Sequence, residues 1–362
     1  MDESLTFNDI SIIPQYSDIK SRLDVNTSIS LDRFNLENPI ISANMDCVTD
    51  AKMAIAMRKL GGIGILHRFY KSEQDRKMDI HAYFSEMHEL PIFSIGVSED
   101  EINFAIWVST MYNMPIHVCV DIAHGHSILM AECIHKLKAN LLHGSYIIAG
   151  NVCTYEGAEF LVNLGVDAIK VGIGPGSNCK TRIVTGHGIP QISAIRRCKQ
   201  AVVGTKVKLI ADGGITNSGD ICKAIACGAD FVMIGRLLAG CNESAAPYLQ
   251  ITRTVPYYTN GIKYDGYFDV DDIEYKVYRG QSSHEIQMDM GTYRPTIASE
   301  GISTKILATG PLENTLNELV GGLRSGMTYS GTRTLKEFQS KARWALVTYN
   351  GYKEGTPHGK NN

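Results

Sequence analysis

The chain has 362 residues and a formal net charge of −3; the near balance excludes a nucleic-acid binder held by bulk electrostatics, and the length builds a sizeable core in one large domain or two medium ones. Nine cysteines are scattered singly with no C-x-x-C pair, which argues against structural zinc and for reduced thiols in a cytoplasmic protein. MDESLTFNDI lacks the apolar stretch of a signal peptide, and no apolar run is long enough to cross a bilayer, so no membrane partner is expected.

Taken in order, short apolar runs alternate with helix-like stretches. Strands are expected at Pro39 to Ala43, Gly62 to Leu66, Ile92 to Val97, Ile116 to Asp121, Tyr146 to Gly150, Ala168 to Val171, Val207 to Ala211 and Phe231 to Ile234. Each is rich in Val or Ile with almost no polar alternation, as in strands buried on both faces of a parallel sheet. Between them, DAKMAIAMRKL spaces Met53, Ile55, Met57 and Leu60 on one face behind an Asp50 cap. SGDICKAIACGAD repeats the device from Ser218, with Gly228 as its stop. Eight β–α units predict an α/β fold, a closed (β/α)8 barrel, as a single catalytic domain. The rival, a doubly wound sheet, lacks its G-x-G-x-x-G fingerprint, and no P-loop is present.

Polar residues gather at the strand ends. Ser42 to Asp46, His67 and Arg68, Asp121 with His124 and His126, Gly150 and Asn151, Asp212 to Gly214, and Gly235 and Arg236 all fall there. In a barrel these positions converge on one mouth, where barrel enzymes carry their chemistry. His124 and His126 sit outside any H-E-x-x-H pattern, so metal ligation is disfavoured. After the sixth strand, KVGIGPGSNCKTRIVTGHGIPQ breaks into glycine, proline and serine. Gly172, Gly174 and Gly176 let the backbone turn or approach a ligand closely. Ser177 offers a hydroxyl to a phosphate or sugar. Cys179 ends the loop beside Lys180 and Arg182, and nearby cations favour its thiolate as a nucleophile. An unassisted thiol, of pKa about 8.5, is only a few per cent ionised at neutral pH. Most cysteines are small apolar fillers, but a filler needs no such loop before it. The main-chain carbonyls of Gly174, Gly176 and Cys179 are candidates to hold a potassium ion.

Beyond the eighth strand the rhythm changes. Residues 243–301 are expected to form a hairpin excursion followed by an active-site flap. Glu243 to Gly280 is rich in tyrosine, and Asn260-Gly261 and Asp265-Gly266 are turn signals. Tyr278 to Gly301 lacks periodicity and reads as a mobile flap ending at Glu300. PLENTLNELVGGLRSGMTYSG then supplies a helix with Leu312, Leu316 and Leu319 on one face, and the tail from Tyr352 is expected to fray.

The cysteine loop, with LTFNDISIIP, SANMDCVTD, GGIGILHRF, DIAHGHS, IAGNVCT, ADGGITNSGD, GADFVMIG and GGLRSGMTYSG in order, closely resembles the IMP dehydrogenase and GMP reductase family. That resemblance implies a homotetrameric barrel acting on a purine nucleoside monophosphate with a nicotinamide dinucleotide. It implies that Cys179 attacks C2 of the purine and that Thr181 and Glu300 relay a proton. Asp212 is implied to hold the ribose, and Ser177, Gly214, Gly235 and Tyr278 the phosphate. Arg236, Gln281, Ser282, Arg294 and Ser299 complete the implied substrate-binding set, and Arg68, Asp121 and Ala123 lie toward the cofactor. Dehydrogenases usually carry a regulatory pair of small CBS-type domains after the second strand; here only Phe69 to Pro91 intervenes. SIGVSEDE, Gln281-Ser282-Ser283 and the short flap TYRPTIASEG are similar to reductases, which implies NADPH-dependent reduction of GMP. A dehydrogenase using IMP and NAD, and a purine-nucleotide-binding barrel without turnover, are the alternatives. Departures from the family pattern are Lys180, Gln281, extra residues between Arg294 and Ser299, the longer tyrosine-rich excursion and a dehydrogenase-like tail, YNGYKEGTPHG.

Overall fold

The structure is a computed structural model and describes residues 4–253, 257–259, 262–264, 270–291, 293–296 and 298–357. Eight parallel strands close into a barrel: β1 (Ile40–Ser42), β2 (Ile63–Leu66), β3 (Ile92–Ile95), β4 (His117–Asp121), β5 (Tyr146–Val152), β6 (Ala168–Val171), β7 (Lys208–Asp212) and β8 (Phe231–Ile234). Each strand pairs with its sequence neighbour, and β8 closes on β1 through Val232–Ile40 and Ile234–Ser42.

The apolar runs form strands because both faces are buried. Ile41, Ile63, Ile65, Ile92, Cys119, Ile148, Ala168, Ile210, Phe231 and Met233 fill the barrel interior. Their neighbours in sequence, among them Ile40, Leu66, Phe93, Val118, Ile147, Ile169 and Leu209, pack outward under the helices. This is the two-residue period of a strand with no face left for water. Along the inner face, the residues two places after Cys119, Ala168 and Ile210 are Asp121, Lys170 and Asp212. The interior therefore changes from apolar to charged one layer below the mouth.

The covering helices are α1 (Ala51–Lys59), α2 (Glu73–Met87), α3 (Glu99–Tyr112), α4 (Ile128–Asn140), α5 (Tyr155–Asn163), α6 (Gln191–Val202), α7 (Ser218–Ala226) and α8 (Leu312–Tyr329). Asp50, Ser72, Ser127 and Thr154 each accept a first-turn amide of the helix they cap, which satisfies a donor the helix itself cannot. For α7 the cap is Asn217, not Ser218: its Oδ1 accepts the Asp220 amide at 3.0 Å, and Ser218 is the first helical residue. Leu312, Leu316, Leu319, Leu323 and Met327 form the buried face of α8. Only α2 stands between β2 and β3.

The floor is closed by an antiparallel hairpin, Ile29–Leu31 with Phe34–Leu36. Leu31, Phe34 and Leu36 join the interior cluster beside Tyr146 and Ala168, the first residues of β5 and β6. Ile10–Ile13 pairs with Arg343–Leu346 from the far end of the chain. Past β8, strands Tyr248–Arg253, Val270–Arg279 and Ser303–Leu307 make an antiparallel sheet, and Tyr257–Thr259 pairs with Ile262–Tyr264. The expected turns at Asn260-Gly261 and Asp265-Gly266 lie outside the described residues. The stretch expected to lack structure contains a helix, His284–Asp289, because Ser283 caps it and Ile286 is buried. The tail is helical over Tyr349–Glu354, capped by Thr348.

Candidate active site

The cysteine loop leaves β6 through Gly172, which no other residue could replace without displacement. Its φ is +147°, and a Cβ there would meet the Asp212 carbonyl at 2.2 Å. The Gln191 amide donates to the Val171 carbonyl at 2.8 Å and to the Asp212 carbonyl at 3.1 Å, fixing the ends of β6 and β7 together. Asn178 is buried and donates to the carbonyls of Tyr278 (2.8 Å) and Ile302 (3.0 Å). That clamp seats the loop on the excursion sheet and sets Cys179 opposite Gly301 in an isolated antiparallel bridge. The Lys180 amide completes it by donating to the Glu300 carbonyl at 2.6 Å.

The result is a relay. The Cys179 thiol donates to Thr181 Oγ1 at 3.2 Å, and the Thr181 hydroxyl donates to Glu300 Oε2 at 2.6 Å. A proton has a continuous path from sulfur to carboxylate. Cys179 is half-buried and lines the cleft, whereas every other cysteine is buried. Burial pushes the thiols of Cys47, Cys119, Cys133, Cys222 and Cys227 up to about 12, so they remain neutral. The cleft opens to solvent, and Cys179, Thr181 and Glu300 all line it.

Lys170 stands at the base of the cleft. Its ammonium lies 2.6 Å from Asp121 Oδ1, 3.0 Å from Asp212 Oδ2 and 3.3 Å from Asn44 Oδ1. Asn151 donates to Asp212 Oδ2 at 2.9 Å. Burial works against both charges, but the pairing overcomes it: the Asp121 carboxyl is held below its ordinary range and the Lys170 ammonium above its own.

Around this base, Tyr278 is buried with its hydroxyl 3.5 Å from Met45 Sδ. A Cβ on Gly235 would meet that hydroxyl at 2.8 Å, so a larger residue there would displace the Tyr278 ring. Burial raises the Tyr278 phenol, and the Ser177 hydroxyl and the Arg236 charge near it act in the opposite direction. Gly214 borders Pro175 of the cysteine loop. Gly235 and Tyr278 line the cleft, whereas Ser177 and Arg236, beside Tyr278, and Gly214, beside Pro175, lie outside its lining. Gln281 Nε2 donates to the Asn44 carbonyl at 2.5 Å, Ser282 lines the cleft, and Ser299 Oγ donates to the Ser282 carbonyl at 2.8 Å. Arg294 is exposed, donates to its neighbour's carbonyl at 3.1 Å and does not join the residues lining the cleft. Arg68, Asp121 and Ala123 line it with Cys179. Arg68 lies over the Phe69 ring at 4.6 Å, and its Nε is buried without a partner among the described residues.

Of the three carbonyls expected to hold potassium, that of Gly176 accepts the Cys179 amide at 3.0 Å, so one of its lone pairs serves the loop's own turn. His124 and His126 are exposed, with ring centroids 6.4 Å apart. Lys170, Asn178 and Gln191 were not singled out from sequence as site residues, and Asn44 only as one of the polar residues after the first strand. For Lys170 a signal was present: a lysine inside the apolar run Ala168 to Val171 must be paired if that run is a buried strand.

Known proteins resemble this chain along almost its whole length. Residues 4–358 match the IMP dehydrogenase / GMP reductase domain. An inosine-5′-monophosphate dehydrogenase of Borreliella burgdorferi is 34% identical, over 98% of this chain and 97% of its own. A GMP reductase of Lactobacillus delbrueckii subsp. bulgaricus is 33% identical, over 93% of each. The crystal structure of a Cys-to-Ala variant of GMP reductase from Trypanosoma brucei, in complex with guanosine 5′-monophosphate, superposes with a TM-score of 0.84 at 27% identity, over 99% of this chain and 98% of that one.

Proposed function

The chain belongs to the IMP dehydrogenase / GMP reductase family, and from that premise we propose that it is a GMP reductase. It converts GMP to IMP and ammonia with NADPH through a covalent bond to Cys179. Identity does not choose between the two reactions, since relatives of both kinds lie at 34% and 33%; the flap supports the reductase reading.

The observation that carries the reading is the unbroken relay from Cys179 through Thr181 to Glu300. Sulfur adds to C2 of the purine as its proton passes along Thr181 to Glu300. The same path returns a proton to the exocyclic amine, the C2–N bond breaks, and ammonia leaves. Proton delivery of this kind is typically worth about 10² to 10⁴ in rate. Arg68, Asp121 and Ala123 would hold the nicotinamide dinucleotide, which would supply hydride to C2. The S–C2 bond then breaks and Cys179 departs as thiolate. Asp212 takes the ribose hydroxyls, and Ser177, Gly214, Gly235 and Tyr278 take the phosphate. A dehydrogenase must bring water to the same thioimidate and activate it. Arg294, a flap cation that the resemblance put in the substrate-binding set, is exposed and donates to its neighbour's carbonyl.

The test is an assay pair. With GMP and NADPH, cofactor oxidation and equimolar ammonia are expected. Formation of XMP from IMP and NAD, with no ammonia from GMP, would assign the dehydrogenase reaction instead. Tight GMP binding with neither turnover would leave a non-catalytic binding barrel.

A further inference from the structure

We propose that Lys170 is a positioning residue that ties the nucleotide half of the cleft to its cofactor half by sharing one ammonium between Asp212 and Asp121. The assignment of Asp212 to the nucleotide and Asp121 to the cofactor rests on the reading above, and the coupling holds for either direction of hydride transfer.

The register of β6 places Lys170 there. Ile169 and Val171 face the helices, so Lys170 projects into the barrel, where it is 2% exposed. Its two carboxylate partners come from different strands, β4 at 2.6 Å and β7 at 3.0 Å. Two carboxylates against one ammonium leave the cluster with excess negative charge. The network also extends beyond the ion pairs. Asn44 Oδ1 accepts from Lys170 at 3.3 Å, and the Asn44 carbonyl accepts from Gln281 at 2.5 Å. Asn151 donates to Asp212 at 2.9 Å. The other titratable or charged groups that face the cluster are Cys119 from β4, Arg68 from the loop after β2, toward Asp121, and Tyr278 from the excursion sheet, toward Asp212. None of them duplicates a cation placed between the two carboxylates.

A shared cation makes the two carboxylates dependent. A hydroxyl that donates to Asp212 relieves part of its charge, and the ammonium serves Asp121 more fully. Removal of the charge on Asp121 has the opposite effect: Lys170 is left to Asp212 alone, which then accepts ligand hydroxyls more weakly.

The experiment is calorimetric titration of GMP alone and of NADP⁺ alone into the wild-type chain, Asp121→Asn, Lys170→Arg and Lys170→Met, with the acid limb of kcat/KM as a second readout. IMP and NAD replace these ligands if the wild type proves to be a dehydrogenase. Asp121→Asn is expected to weaken the nucleotide about 5-fold or more without cofactor present, the lower bound typical of coupled sites. Lys170→Met is expected to weaken both ligands and to move the acid limb to higher pH, because one uncompensated carboxylate then keeps a proton. Lys170→Arg is expected to return the limb toward the wild type. An Asp121→Asn variant with unchanged nucleotide affinity, or a Lys170→Met variant that loses one ligand only, would overturn the proposal. Should Lys170→Met fail to melt cooperatively, Asp121→Asn alone decides. Failure of the functional reading shows separately, as a wild type that binds neither GMP nor IMP, and the coupling then falls with it.

Discussion

In the proposed reaction three side chains, Cys179, Thr181 and Glu300, carry the chemistry, and their roles separate by substitution. Cys179→Ala removes the nucleophile but leaves the nucleotide's other partners in place; it is expected to abolish turnover while calorimetry still detects GMP. Thr181→Val cuts the relay between the thiol and Glu300 without adding bulk. It is expected to lower kcat by about 10² to 10⁴, with little change in the GMP KM; a change in KM alone would assign Thr181 to binding. Cys179 was legible in the sequence because a glycine-rich loop beside cations is an unusual setting for a thiol. Glu300 was legible only through the family resemblance, since its partner Thr181 lies 119 residues earlier in the chain. Asn178 carried no local signal: an asparagine in a loop reads as a turn residue, and its role depends on two carbonyls a hundred residues or more away in sequence, those of Tyr278 and Ile302.

The barrel strands were visible because burial on both faces suppresses polar alternation. The floor hairpin was not. Its strands are three residues long, and Leu31, Phe34 and Leu36 are separated by residues typical of turns. Only the barrel supplies the cavity that Phe34 fills, where it also meets the His117 ring at 4.8 Å. Phe34→Ala is expected to cost about 3–5 kcal/mol by denaturant unfolding, as for other fully buried aromatics. A loss below about 1 kcal/mol would mean the floor can collapse onto the gap. The pairing of Ile10–Ile13 with Arg343–Leu346 was likewise hidden. A half-exposed edge strand has no pattern until its partner, more than three hundred residues away in sequence, is known.

For the molecule as a whole, acid should destabilise the fold before its carboxylates titrate. Burial, reinforced by Arg76, lowers His67 to about 3. Burial also holds His117 neutral, to about 4, against the pull of Asp32 at 2.9 Å. In the unfolded chain both histidines charge near pH 6.5. Below that value the unfolded state binds more protons, so stability is complete above about pH 6.5 and falls as the pH drops toward the folded values. The Asp121–Lys170 pair acts lower still: the depressed carboxyl contributes stability that is lost only below the ordinary range near about 4. Urea unfolding at neutral pH and near about pH 5 should show the histidine loss, and His117→Phe should reduce the difference. Equal stability at the two values would place those rings in water.

The account turns on which bond at C2 the chain breaks. The most direct measurement is ammonia released from GMP in the presence of NADPH, by the wild type and by Cys179→Ala. Ammonia in step with cofactor oxidation, and none from the variant, is the predicted result. XMP from IMP and NAD with no ammonia from GMP, or undiminished release from Cys179→Ala, would contradict it.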